Sequence, residues 1–324
     1  MAGSISLIIP SQNAEIKLHQ LLSKVPEWKL IPNEIIIIDS SEKKVTIAEE
    51  FQLFTKKNNI KLLIIYGKNI FPGHARNIGI SNSTNSLLAF LDTSTHPNNE
   101  WLNSGVNLIN SKKFQGVWGN TYYEADTFIS KVIRASTFGE KPIQTFPGSI
   151  LHKSVFNRCG KFVEAARAGE DGDWMNRAEL QKINMSHPEE YLKYDKLNHT
   201  SVSTLVKKWF RNYIYVANLP FFRAHKDVYY LSISFLAILI AFNWNWILAA
   251  WDMNSILYIP NITKISISVI LIAYVLGRGI LLPIKKGINL IFLFPANFIF
   301  ITLLSMILDI TKVLAFIYSK LFRS

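Results

Sequence analysis

Short apolar runs punctuate the first 200 residues of this chain. Residues 5–9, 34–38, 61–65 and 86–91 are dominated by Ile, Leu and Phe, and each stops at a Pro, Gly or Asp within a residue or two. Between them lie stretches in which apolar positions recur every three or four residues, the spacing of one helix face. The runs do not alternate apolar with polar, which predicts strands buried on both faces. Spaced roughly 25 to 30 residues apart, they predict parallel strands joined by crossover helices, an α/β domain with a doubly wound sheet. In such sheets ligands bind beyond the carboxyl ends of the strands, which directs attention to residues 10–13, 39–41 and 92–94. None of these turns carries a GxGxxG or Walker A loop, which counts against dinucleotide oxidoreductases and P-loop nucleotidases.

The last hundred residues follow another pattern. Residues 229–251, 265–283 and 288–308 are almost wholly apolar, aromatic or small. Each is about 20 residues, enough at about 1.5 Å per residue to cross a roughly 30 Å hydrocarbon layer. Trp244, Trp246, Trp251 and Tyr258 fall in or just beyond the first, where an interfacial aromatic belt sits. Ahead of it, residues 201–226 hold Lys207, Lys208, Arg211, Arg223 and Lys226 and no Asp or Glu, interleaved with Trp209, Phe210, Tyr213, Tyr215, Phe221 and Phe222. Such a mixture reads as an amphipathic segment lying on an anionic leaflet. The predicted organisation is a domain over 1–200, a basic interfacial segment over 201–226 and a membrane region of about three hydrophobic helices over 227–324. Three crossings put Lys285 and Lys286 on the side of the N-terminal domain but Lys312, Lys320 and Arg323 on the other, against the positive-inside tendency. A last segment that is kinked at Pro295, carries Asp309 and does not fully cross would remove the conflict, so its topology stays open.

Composition narrows the partners. The chain has 324 residues, 35 Lys and Arg against 23 Asp and Glu, and a formal net charge of +12, yet 49% of it is hydrophobic and only 18% charged. A soluble nucleic-acid binder is richer in charge, and here the basic stretch abuts an apolar span, so the excess is assigned to a membrane surface and not to nucleic acid. The single cysteine, Cys159, has no partner for an intramolecular disulfide, which suits a reducing compartment. The opening MAGSISLIIPSQN lacks the basic leader of a secretory signal and reads as a first buried strand.

Two carboxylates mark the predicted rim. Asp39 ends the run EIIIID and Asp92 ends LLAFLD, so both emerge at one edge of the sheet. Two acids there suit hydrogen bonds to a base and a ribose, or a divalent cation set against a diphosphate. Each alone also suits capping of the helix that follows. The blocks SLIIPSQN (6–13), EIIIIDSS (34–41), PGHARNIGI (72–80), AFLDTSTHPNNEWL (89–102) and RAGEDGDWMNR (167–177), in this order, resemble family 2 glycosyltransferases of the GT-A fold, over roughly residues 4–200. The apolar tail also resembles that of members acting on lipid-linked acceptors. The resemblance implies a Rossmann-like mixed sheet and a membrane-bound enzyme of polysaccharide or glycolipid synthesis. Such an enzyme moves one sugar, with inversion, from a nucleotide-diphosphate sugar to a lipid-linked or glycan acceptor. It also implies a multi-pass protein of the inner membrane whose catalytic domain faces the cytoplasm.

Residue by residue, the resemblance gives Pro10, Asn13 and Asp39 to the base and ribose, and Arg76 to the diphosphate, where a guanidinium makes forked, charge-assisted contacts. Asp171 of the Glu-Asp pair becomes the base that deprotonates the acceptor hydroxyl, with Glu170 orienting the acceptor or Arg177. Gly148 and Ser149 fall in the segment beside the acceptor. The Asp-x-Asp of the family reads Asp92-Thr93-Ser94 here. A neutral hydroxyl is a poor ligand for a hard cation, so Ser94 leaves dependence on Mg²⁺ or Mn²⁺ open, with Asp92 and His199 as metal-ligand candidates. The Gln-x-x-Arg-Trp motif of processive members is replaced by LVKKWFRN, which favours a single transfer. The missing second acid also supports a rival, a catalytically silent homologue serving as a membrane scaffold in a glycan pathway. The intact GEDGD block argues for the enzyme.

Overall fold

The computed structural model describes residues 4–220 and 222–322. The chain divides into two compact units, Met1–Asp126 with Lys141–Thr200, and Thr127–Glu140 with Ser201–Ser324.

The first unit is built on a nine-stranded mixed sheet. Strands β1 (Ile5–Ser11), β2 (Glu34–Asp39), β3 (Lys61–Tyr66) and β4 (Leu87–Phe90) are parallel and lie side by side as β3-β2-β1-β4. The sheet continues through β5 (Thr95–His96), β6 (Gly116–Tyr123), β7 (Ile143–His152), β8 (Met185–Ser186) and β9 (Leu192–Tyr194), in the order β7-β6-β9-β5 with β8 also paired to β6. β7 runs antiparallel to β4, and β6 antiparallel to β7. All four aliphatic runs are therefore strands, but they make one parallel half of a sheet whose other half is mixed, with β6 parallel to β8 and β9 and β5 antiparallel to β9.

Period two explains why these runs show no polar alternation. In β1, Leu7 and Ile9 enter a core that includes Leu18, Trp28 and Trp101, while Ile8 enters the opposite core with Ile38, Phe90 and Phe146. Both faces are covered, so every position is apolar. The exception sits at the amino edge, where buried Glu34 accepts hydrogen bonds from Ser6 Oγ, from Lys61 Nζ at 2.8 Å and from Thr84 N at 2.9 Å. Burial would push its carboxyl up, but these donors outweigh that effect and hold it below the usual range.

The second unit is helical. Its main helices are Phe128–Ser136, Val202–Val216, Phe222–Phe242, Ile262–Tyr274 and Asn297–Phe322; the fourth continues through a wide π segment, Val275–Leu281, into Leu282–Lys285. Among the described residues, Ile262–Lys285 and Asn297–Phe322 are long and apolar enough to cross a bilayer, and the apolar helical stretch Ser232–Phe242 is shorter. The third apolar segment thus begins at 297, past the break at Pro295, and not at 288. Phe221 and Arg323 and the side chains of Phe222, Arg223 and Lys226 lie outside the described residues.

Asn297–Phe322 is an inside-out helix. Thr302, Ser305, Asp309, Lys312 and Ser319 are buried together with Ile301, Leu304 and Leu308, whereas Ile299, Leu303, Ile310, Leu314 and Ile317 are exposed. The polar seam is tied to neighbouring helices of the same unit. Asp309 accepts from the Tyr274 hydroxyl at 2.9 Å and from Arg278 Nη2 at 2.9 Å, and lies 3.3 Å from Lys312 Nζ. The Lys312 ammonium lies over the rings of Trp209 and Tyr213 at 5.1 and 5.5 Å, and Ser319 Oγ donates to Ile214 O at 2.8 Å.

Candidate active site

The carboxyl ends of β1, β2 and β4 meet at one rim of the first unit. A cleft of about 190 Å³ opens there, lined by Pro10, Ser11, Gln12, Ser40, Asp92 and Ser94 among others. Ser11 Oγ is buried in its wall with no hydrogen-bond partner in the protein. A buried hydroxyl left without a partner is costly, and one lining a cleft is suited to a ligand's polar atom. Asn13 and Asp39 are committed mainly to their own loops. Asn13 N donates to Ser41 Oγ at 2.7 Å, and its Oδ1 accepts from Glu42 N at 3.1 Å. Asp39 accepts from Ser41 Oγ at 2.6 Å and from Val45 N at 3.0 Å, so it shapes the wall beside the cleft.

A buried guanidinium links two of the acids. Pro72–Asn82 starts as a helix with Pro at its first position, where the missing N–H is no loss. One face of that helix presents Gly73, Arg76 and Asn77. A Cβ on Gly73 would lie 2.6 Å from Val163 O and 2.9 Å from Glu170 Cγ, so only glycine admits this approach. Arg76 donates from Nη1 to Glu170 Oε1 at 2.7 Å and from Nη2 to Asp92 Oδ1 at 3.1 Å. Its guanidinium carbon lies 5.4 and 5.6 Å from the ring centres of Phe146 and Phe162. Burial alone would lower its pKa, but Asp92, Glu170 and Asp171 outweigh burial and keep it charged. Asn77 holds the adjoining loop, donating to Phe162 O at 3.0 Å and accepting from Phe162 N at 2.9 Å.

The helix Glu170–Leu180 brings the remaining acids. Glu170 is buried, and that burial, reinforced by Asp171, pushes its pKa up to about 7 against the pull of Arg76. Asp171 is half-buried, and its Oδ1 accepts from Gly172 N at 2.8 Å. Asp173 and Arg177 turn away to a structural task. Arg177 pairs with Asp173 at 2.9 Å and donates to the carbonyls of Cys159 and Lys161, the latter at 2.9 Å. Arg76, Glu170, Asp92 and Asp171 are thus brought together, and Arg177 is tied into the segment behind them.

Gly148 and Ser149 lie within β7. Gly148 has a φ of 94°, and its carbonyl accepts from Trp101 Nε1 at 2.9 Å. Ser149 Oγ is buried and accepts from Gly119 N at 2.9 Å, closing the bulge in β6. His199 is exposed at the end of a short turn, Lys196–His199. Among the described residues no group of three or more His, Cys, Asp or Glu is arranged to hold a metal ion. Asp92 has one oxygen on Arg76, and Ser94 offers a neutral hydroxyl. This donor set does not fit a cation held by protein ligands alone.

Two tyrosines complete the rim and carry no signal in the sequence. Tyr194 of β9 is in register with Thr95, which closes the turn from Asp92 by donating to Asp92 O at 3.0 Å from its amide, and also with Tyr123 of β6. The two rings lie 5.0 Å apart. Burial first, then each other's neighbourhood of acids, raises both phenols: Tyr194, Asp171 and Asp92 act on Tyr123, and Asp92 and Asp195 on Tyr194. Both remain protonated donors beside the acids. Ser11 was within reach of the strand-end rule, but a pairing between residues 71 positions apart was not.

A parallel half-sheet with acids at its carboxyl rim, extended by a mixed half, fits the GT-A class of nucleotide-sugar transferase fold. Residues 6–163 match the family described as glycosyl transferase family 2. The chain is similar to the glycosyltransferase AglE of Haloferax volcanii, at 25% identity over 186 residues. The aligned part is 54% of this chain and 60% of AglE, less than two thirds of that relative. Among solved structures, the chain is similar in fold to the mannosyltransferase PcManGT from Pyrobaculum calidifontis in complex with GDP-Man and Mn²⁺, with a TM-score of 0.53 and 12% identity, covering 99% of this chain and 88% of that one. A looser likeness is to S. aureus TarS 1–349 in complex with UDP-GlcNAc, with a TM-score of 0.46 and 17% identity over 75% of this chain and 73% of that one.

Proposed function

We propose that the protein is a membrane-associated inverting glycosyltransferase that moves one sugar from a nucleotide-diphosphate sugar to a lipid-linked or glycan acceptor. The observation that carries this reading is the buried Arg76 joining Asp92 to Glu170, next to Asp171, at the mouth of a cleft with an unsatisfied Ser11 hydroxyl. The name of the glycosyltransferase AglE supports sugar transfer, and the GDP-Man in the PcManGT complex supports a nucleotide-sugar donor.

The chemistry follows from the positions. The nucleoside lies against Pro10, Ser11 and the loop shaped by Asn13 and Asp39. The Asp171 carboxylate takes the proton of the acceptor hydroxyl as that oxygen attacks the anomeric carbon. The bond from that carbon to the diphosphate oxygen breaks on the opposite face, and its electron pair leaves with the diphosphate. Glu170 and Asp92 hold Arg76, whose charge is felt by Asp171 beside them. The Mn²⁺ of the PcManGT complex supports a cation carried with the diphosphate, but no step here is routed through one.

The membrane reading rests on the inside-out helix. Polar side chains turned inward and large aliphatics turned outward are the arrangement a hydrocarbon solvent selects. The positive-inside tendency, applied to the basic segments, supports a catalytic unit on the cytoplasmic face of a multi-pass inner-membrane protein. A panel of nucleotide-diphosphate sugars offered to the detergent-solubilised chain with a lipid extract tests the function. One donor consumed, with its sugar recovered on a lipid or glycan, is the expected result. A folded protein that binds and consumes none would instead establish the silent scaffold.

A further inference from the structure

Helix Asn297–Phe322 passes by composition and length for a membrane span, yet two of the helices packed on it, Val202–Val216 and Phe128–Ser136, cannot accompany a span. It is 26 residues long, about 39 Å. Val202 shares an apolar pocket with Phe300, Leu304 and Ile307, Trp209 lies against Lys312, and Ile214 O accepts from Ser319. Helix Val202–Val216 therefore runs alongside it, in the same direction, for its whole length. That companion exposes Lys207, Lys208 and Arg211 at its middle. Three exposed cations are expensive in hydrocarbon and favourable among lipid phosphates. The second companion, Phe128–Ser136, touches the first third through the Phe128 and Phe300 rings at 5.6 Å and through Ser136 Oγ to Ile301 O at 3.3 Å. It has nine residues and both its ends return to the sheet strands β6 and β7 within seven residues, so it crosses nothing.

Resting on the membrane reading above, we propose that Asn297–Phe322 does not cross the bilayer but lies in its surface, on the face that carries Val202–Val216, as an apolar plate on an anionic lipid leaflet. Leu303, Ile310, Leu314 and Ile317 dip into the acyl chains, and the seam from Thr302 to Ser319 faces protein. Two further observations agree. Arg278, the partner of Asp309, lies seven residues from the Lys285 end of its helix, about 10 Å, so the charged cluster falls near the headgroups. A crossing Asn297–Phe322 would put Asp309, its midpoint, at the bilayer centre. The loop 243–261 has no Lys or Arg, whereas Lys207, Lys208, Arg211, Lys285, Lys286, Lys312 and Lys320 then share one face.

The test uses the full chain in vesicles of phosphatidylcholine and phosphatidylglycerol. Leu303→Cys, Ile310→Cys and Ile317→Cys are labelled singly with a fluorophore and quenched by lipids carrying the quencher at graded depths. Cys159 is buried, so the unsubstituted chain gives the labelling background. The expected result is one shallow depth for all three sites, with tags at both chain ends cleaved from the same side of sealed vesicles. A central depth at 310 flanked by shallow values at 303 and 317, or a steady change of depth along the series, overturns the surface placement while leaving the membrane reading intact. No quenching at any depth overturns both.

Discussion

Between pH 4.5 and about 7 the folded chain holds a proton on Glu170 that an unfolded chain has already released. The stability gained from this difference is present in full below pH 4.5 and is lost as pH rises through about 7. At about 1.4 kcal/mol per pKa unit, that loss amounts to a few kcal/mol. Glu170→Gln removes the titration, so its melting temperature should fall less than that of the parent between pH 5 and pH 8; parallel curves would show that Glu170 titrates normally. Arg76 is the other half of the arrangement. A lysine keeps the charge but not the fork that reaches Glu170 and Asp92 together, so Arg76→Lys should lose about 2 kcal/mol in chemical denaturation and most of the activity. An unchanged unfolding midpoint would mean that one contact of the two carries nothing.

At the scale of elements, the turn from β4 to β5 and the helix Pro72–Asn82 set the geometry. Ser94→Asp restores a second carboxylate to that turn. The variant should bind Mn²⁺ more tightly than the parent by titration calorimetry, and equal affinity would mean that position 94 does not face the cation. Gly73→Ala forces a methyl against Val163 O and Glu170, and should destabilise by about 1–3 kcal/mol while lowering turnover. The aliphatic strands β1, β2 and β4 were legible because both-face burial leaves an unbroken apolar run, the edge strand β3 because both its faces are partly covered, and the rim acids Asp39 and Asp92 because a carboxylate ends such a run. β5, β8 and β9 have two or three residues each, too few for any period to show. β6 is bulged between Val117 and Gly119, which breaks its alternation. Tyr123 and Tyr194 reach the site only through that late pairing. The resemblance set Arg177 on the acceptor side, and the structure pairs it with Asp173 and with the carbonyls of Cys159 and Lys161.

For the molecule as a whole, hydropathy located the apolar segments but not their ends or their orientation. The 265–283 span is there, the third segment moved past Pro295, and the polar seam of Asn297–Phe322 is evident only once its neighbours are known. An inside-out helix should keep the chain in the membrane fraction through alkaline carbonate extraction, and release into the supernatant would contradict the membrane reading. The catalytic claim is tested most directly by Asp171→Asn in the detergent-solubilised full chain, comparing sugar transfer with binding of the nucleoside diphosphate. The amide keeps the size of the side chain and cannot accept the proton, so transfer should fall by about 10² or more while nucleotide affinity stays within twofold or so. Turnover near that of the parent would move the base away from Asp171 and contradict the account.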